Sequence, residues 1–213
     1  MGADRPILNG MRRAMEGSQI VVLTTAYLPP VDYIAAIAKA RVALLEAHEN
    51  YQKQSYRNRA EVVGANGVER LVVPVVRPYG THTPIKEVGL SRATRWVEQH
   101  LGAIQSCYGQ SAFFIHYYPE IERILRCKWP TLWALNDALL RFMLDRFGVR
   151  TEILETEEYI HAYPPAEALD LRNAFHPKRP RPANKEYFQA FADRLGFQPN
   201  MSGIDLLLQE GML

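Results

Sequence analysis

Cysteine is nearly missing from this chain: Cys107 and Cys127 are the two among 213 residues. Their spacing fits neither a zinc knuckle nor a redox Cys-x-x-Cys pair, so the reading is two free, buried thiols in a reducing cytosol. An excess of one charge is also missing. A net charge of +2 and a pI near 8.5 fall short of a nucleic-acid footprint, which gathers Lys and Arg on one face at a pI above about 9. Any anion site must therefore be local. No apolar run is long enough to span a bilayer, and "MGADRPILNGMRRAMEGSQ" contains no signal-peptide core. Pro6 stands where a myristoylation motif requires Ser or Thr. A cytoplasmic protein is the expectation. The histidines fall at no ligand spacing, so no metal is expected, and nothing in the residues names a cofactor.

Glycine is absent where nucleotide folds need it. "TTAYLPPVDY", joining a predicted strand to a helix, has none, which excludes a Walker loop and a dinucleotide fingerprint. Free N–H groups at such a turn can still hold a phosphate, although Pro30 removes one donor. No Gly-x-Ser-x-Gly elbow occurs, so nucleophilic catalysis lacks support.

What is present reads as one α/β domain over residues 18–213, preceded by a poorly ordered extension over 1–17. "IVVLTT", the alanine-rich helix after Pro30 and "RVALLEA" make a Rossmann-like βαβ start with a parallel sheet. Two β-branched runs around Asn66-Gly67 predict an inserted antiparallel hairpin with a tight primed turn. "IKEVGLS" reads as one more short strand. The second half reads as largely helical: Val97, Leu101, Ile104 and Tyr108 share a face, Ser111 is placed to cap the next helix, and Thr131 caps "LWALNDALLRFMLDRF" before Gly148. "VRTEILE" reads as a strand, a short helix is expected from Glu186 to Leu195, and Ser202 caps a last one stopped by Gly211.

One stretch breaks both periodicities. "HENYQKQSYRNRAEV", from His48 to Val62, sets Lys53, Arg57 and Arg59 among Tyr51, Tyr56, Asn58 and glutamines, with no aliphatic residue between Tyr51 and Arg59. It begins at the carboxyl end of the second predicted strand, where ligands bind in open α/β sheets. In extended conformation Tyr51, Lys53, Ser55, Arg57 and Arg59 would share a face and suit an acidic ligand such as a nucleotide or sugar nucleotide. The alternative is a solvated loop over the sheet edge. His48 beside Glu49 is a candidate general base or a structural hydrogen-bonding residue. His100, on the helix with Trp96, reads as a packing residue. "HPKRPRP" reads as an extended surface loop rather than a nucleic-acid arm, and Asp205 as the capping-box partner of Ser202.

Taken in order, "TAYLPPVDYIAAI", "HENYQKQSYRNRAEV", "NGVERLVVPV", "TPIKEV", the Trp96 to His100 helix and "FQPNMSGIDLLLQEG" resemble the WbqC-like protein family, from about residue 20 to 211. The resemblance implies a bacterial transferase of surface-polysaccharide (O-antigen) biosynthesis, moving an aminoacyl or acyl group, glycine for instance, onto an amino-sugar or sugar-nucleotide intermediate. The family pattern falls on Tyr27, Leu28 and Pro29, on Lys53, Ser55, Tyr56, Asn58 and Arg59, and on Pro199, Asn200, Ser202 and Asp205. Lys53 and Arg59 are then expected to clamp an anion, Tyr56 and Asn58 to orient substrate with Tyr27 and Asn200, and His48 and Asp205 to be the catalytic candidates. Longer members carry acidic residues where this chain has Ala47 and His48. The competing expectation is a non-catalytic module for an anionic ligand or a protein partner, and the sequence leaves a homo-oligomer open.

Overall fold

The computed structural model describes residues 20–179 and 185–213, so the predicted extension over residues 1–17 lies outside the described residues, as does part of the "HPKRPRP" loop. Strand β1 (Ile20–Leu23), helix α1 (Val31–Ala38) and β2 (Val42–Leu45) form the expected βαβ unit, with Ile20 opposite Val42 and Leu23 opposite Leu45 in parallel register. The chain then leaves the sheet for the hairpin β3 (Arg59–Gly64) and β4 (Gly67–Val72), and the short pair β5 (Val75–Val76) and β6 (Gly89–Leu90). Three helices follow, α2 (Trp96–Tyr108), α3 (Phe114–Arg126) and α4 (Leu132–Arg146). It returns as β7 (Glu152–Glu155) and β8 (Leu169–Asp170), and ends with α5 (Ala192–Leu195) and α6 (Gly203–Gln209).

Both returning strands pair parallel, giving the four-stranded order β7-β2-β1-β8. In chain order that is 3-2-1-4, the order of one half of a doubly wound fold, with the switch in direction between β1 and β8. The fold is α/β as expected, and the helical half is bracketed by strands that complete the sheet. Only two residues of β8 pair, too few to leave a periodic signal.

Local chemistry explains the elements and a few departures. Thr131 caps α4 by accepting from the Ala134 N–H, and Gly148 past its end takes φ +69°. In the hairpin, Gly64 pairs with Gly67, so Ala65 and Asn66 are the loop residues, and positive φ falls on Gly67, at +116°, rather than on the expected Asn66-Gly67 primed turn. A type I′ turn needs positive φ at both loop residues, so the loop is not of that type. Within "IKEVGLS" the expected short strand is β6, Gly89–Leu90, while Ile85–Glu87 is a single 3₁₀ turn. The predicted helix from Glu186 shrinks to α5 because Tyr187 and Gln189 turn inward to Asp205. Ser111 does not cap α3; its hydroxyl faces Gln209. Cys107 is buried as expected, but Cys127 is exposed, because it lies just past the end of α3. No described helix is long and apolar enough to cross a membrane.

Helix α6 closes the structure by docking on the turn between β1 and α1. The N–H of Val31 donates to Met201 O at 2.9 Å, that of Gly203 to Pro29 O at 2.7 Å, and the Ser202 hydroxyl to Leu28 O at 2.8 Å. The first donor of α1, which the sequence offered to a phosphate, is thus held by the chain itself.

Candidate anion-binding site

The carboxyl ends of the four parallel strands gather the polar residues. Glu46, the first residue past β2, has no exposed surface; its carboxylate accepts from the Thr156 hydroxyl at 2.9 Å, the His48 N–H at 2.9 Å and Arg172 Nη1 at 3.0 Å. Arg172 also forks onto Asp170, through Nε at 3.0 Å and Nη2 at 2.6 Å, and lies between the rings of Tyr159 and Tyr163, 5.1 and 5.2 Å from their centroids. Burial alone would raise the Asp170 pKa, but the Arg172 hydrogen bonds outweigh it and hold the carboxyl below its usual range. This cluster ties the ends of β2, β7 and β8 together.

The 48–62 stretch sits above it, folded rather than extended. Residues 53–58 run through consecutive turns, with Gln54 at φ +57°, so the expected alternation of faces does not occur. Buried residues decide the path. Arg57 makes a two-pronged ion pair with Glu49, both nearly sealed from solvent, and Asn136 on α4 holds the Arg57 carbonyl at 2.8 Å and the Thr25 hydroxyl at 3.1 Å. Asn58 donates to Val73 O at 2.8 Å, and the Tyr56 hydroxyl to Glu61 at 3.1 Å. Residues 49 to 51 are fixed on the other side, where Ile85 N–H donates to Glu49 O and Tyr51 N–H to Thr83 O, both at 2.9 Å.

With Glu46 and Glu49 neutralised, the cations over the sheet edge meet no carboxylate. Lys53 is exposed; Arg59 and Arg77 are half-buried beside Tyr51, whose hydroxyl is raised in pKa first by burial despite those two guanidinium groups. A second group arrives from the loop after β8: His176, Lys178 and Arg179. Burial first, then the nearby charges of Arg179, Arg57, Lys178 and Arg59, depress the His176 pKa. Among the described residues, Lys53, Arg59, Arg77, Lys178 and Arg179 form no salt bridge. Asn58 Oδ1, Arg59 Nε and Asn136 Oδ1 are buried and make no hydrogen bond, which is costly unless something else satisfies them.

The sequence-predicted residues divide. Lys53 and Arg59 lie on this surface, Asn58 is buried beside Arg59 with its amide on Val73 O, and His48 stands at the edge, exposed, with Nε2 hydrogen-bonded to the Thr156 carbonyl at 3.0 Å, a structural bond. Tyr56 is buried with its hydroxyl turned to Glu61. Tyr27 has no exposed surface, and its hydroxyl meets His100 Nδ1 at 2.8 Å in the core. Asn200, at φ +63°, sits in the connection that docks α6. Asp205 is fully buried and is not a capping-box partner: the Ser202 N–H donates to Glu61 O, while Asp205 receives Tyr187 and Gln189. Burial raises the Asp205 pKa despite those bonds. His176, Lys178, Arg179 and Asn136 were not singled out; the basic run after His176 was the available signal. Two surface cavities, of about 400 and 270 Å³, lie elsewhere, around Cys127 and Trp129.

The sequence profile of the WbqC-like protein family matches residues 25–179. The chain belongs to that family. In this WbqC-like protein the matched span holds the whole parallel sheet except β1, and both basic loops; the closing segment with Asn200, Ser202 and Asp205 lies beyond it. The uncharacterized protein Rv1507c of Mycobacterium tuberculosis is 25% identical over 142 residues, covering 66% of this chain and 61% of that protein, so the chain spans about three fifths of the relative's length. No solved structure matches.

Proposed function

We propose that this WbqC-like protein binds an anionic, phosphate-bearing small molecule, a nucleotide or sugar nucleotide, at the carboxyl edge of its sheet, and that it serves as a transferase of bacterial surface-polysaccharide assembly. The observation that carries the binding half is the Arg59 guanidinium: half-buried, without a carboxylate partner among the described residues, and with a buried Nε donor that no hydrogen bond satisfies. A desolvated guanidinium attracts paired phosphate oxygens far more strongly than an exposed lysine does. The transfer half, an aminoacyl or acyl group moved onto an amino-sugar or sugar-nucleotide intermediate, rests on family resemblance. One observation favours the second reading, a binding module without chemistry: His48 is held by Thr156 and Asp205 is sealed beneath Tyr187, so neither is aimed at the cations.

A thermal-shift series with nucleotides, sugar nucleotides and acyl donors tests the reading, because a ligand that binds only the folded state raises Tm. A shift with a sugar nucleotide, lost in Arg59→Gln and weakened in Lys53→Ala, is the expected result. A shift of equal size in Arg59→Gln would remove the site from this surface. Product formation from a bound acyl donor separates the transferase from the module.

A further inference from the structure

The loop after β8 mirrors the 53–59 segment from the other side of the switch point, and we infer that the two together form a clamp for a diphosphate group. This deepens the proposed function and rests on it. In the order β7-β2-β1-β8, β2 and β7 build outward on one side of β1 and β8 on the other, so their connections part between β1 and β8. In open α/β sheets such a switch point, at the carboxyl ends of the strands, is where ligands bind.

Both walls are fixed in place. The ring of Phe175 packs edge-on against Tyr33, 5.4 Å between centroids, and the Tyr33 hydroxyl donates to Thr24 O at 2.8 Å just past β1. Arg179 Nη1 donates to Asn173 O at 2.6 Å. Lys178 reaches across to the Gln54 side-chain oxygen, joining the loops directly. The Lys178 N–H donates to His176 Nδ1 at 3.2 Å, so the neutral imidazole carries its proton on Nε2 and presents a donor, not a base.

The ligand-facing groups are therefore Lys53 and Arg59 from the first loop, and His176 Nε2–H, Lys178 and Arg179 from the second. Arg57 adds no net charge, being paired with Glu49. One phosphate monoester carries about −1.5 to −2 at neutral pH, less than the positive charge on the two loops. Lys53, Arg59, Lys178 and Arg179 supply four formal positive charges on two loops. Two linked phosphates, one to each loop, match the arrangement of these cations. Such a group reaches a protein on a nucleoside or on a prenyl lipid.

Titration calorimetry of the full chain with inorganic phosphate and inorganic pyrophosphate tests the clamp, using wild type, Arg59→Gln and Arg179→Ala; Arg179 is exposed, so its variant keeps the fold. Pyrophosphate is expected to bind at least tenfold tighter than phosphate, the gain of about one further charge-assisted contact. Arg179→Ala is expected to remove that advantage while leaving phosphate affinity within about twofold, and Arg59→Gln to weaken both. Equal affinities in the wild type, or an Arg179→Ala variant identical to it, would overturn the clamp while an Arg59 effect kept the broader reading. No binding of either anion would sink both. UDP binding tighter than pyrophosphate names a nucleoside as the carrier; geranyl diphosphate binding tighter names a lipid.

Discussion

Tyr27 and His100 illustrate how a motif residue can serve the core rather than the ligand. His100 is buried, its Nδ1 accepting from the Tyr27 hydroxyl and its other nitrogen bonded to the Val72 carbonyl. Burial, opposed only in part by that carbonyl, lowers its pKa to about 4. In the unfolded chain the imidazole takes up a proton near pH 6.5. The stabilising effect is therefore complete above that pH and is lost as the pH falls through about 4. The lost stability approaches about 3 kcal/mol. Denaturant unfolding at pH 7.5 and pH 4.5 is expected to reveal this slope, and His100→Gln to lack it. A variant that keeps the full slope would place the proton uptake elsewhere.

Three pieces of chain far apart in sequence are tied into one element at the turn between β1 and α1. Leu28 adopts φ +42°, a conformation that a bulky residue holds only when its surroundings impose it. The Tyr27 N–H donates to Tyr56 O at 2.8 Å, and Ser202 accounts for the rest: its N–H donates to Glu61 O, its hydroxyl donates to Leu28 O, and the same oxygen accepts from Ile204 N–H to cap α6. Ser202→Ala removes the cap and leaves the buried Leu28 carbonyl without its hydroxyl donor, a loss of roughly 2–3 kcal/mol. A midpoint in urea unchanged within about 0.5 kcal/mol of stability would show the knot to be slack. The Tyr-Leu-Pro and Pro-Asn-x-Ser-x-x-Asp patterns thus meet as a structural joint.

Across the whole molecule, the binding surface depends on a buried ion network beneath it. Arg172 joins Glu46 and Asp170, hence the ends of β2 and β8, while Glu46 holds Thr156 after β7. Arg172→Met would leave Glu46, with no exposed surface, as an uncompensated charge. The expected loss is about 3–5 kcal/mol. Glu46→Gln added to that variant is expected to restore much of it, because no charge then remains to be buried. Additive losses in the double variant, read from thermal melting, would rule out direct coupling.

Local patterning by itself determined the βαβ start, the existence of the hairpin, and α4 with its Thr131 cap, because each rests on residues a few positions apart. It also marked Lys53, Asn58 and Arg59 as out of place for an ordinary strand. Tertiary structure decided the rest. The turns of residues 53–58 follow from a buried Arg57–Glu49 pair and from Asn136, 79 residues away from Arg57. The short strand β8 exists because a neighbour supplies its partners. Lys178 joins the surface through a contact with Gln54 that spans 124 residues. Local propensity and periodicity carry no information over such distances; burial of apolar surface brings the segments together, and their charged residues are carried with them.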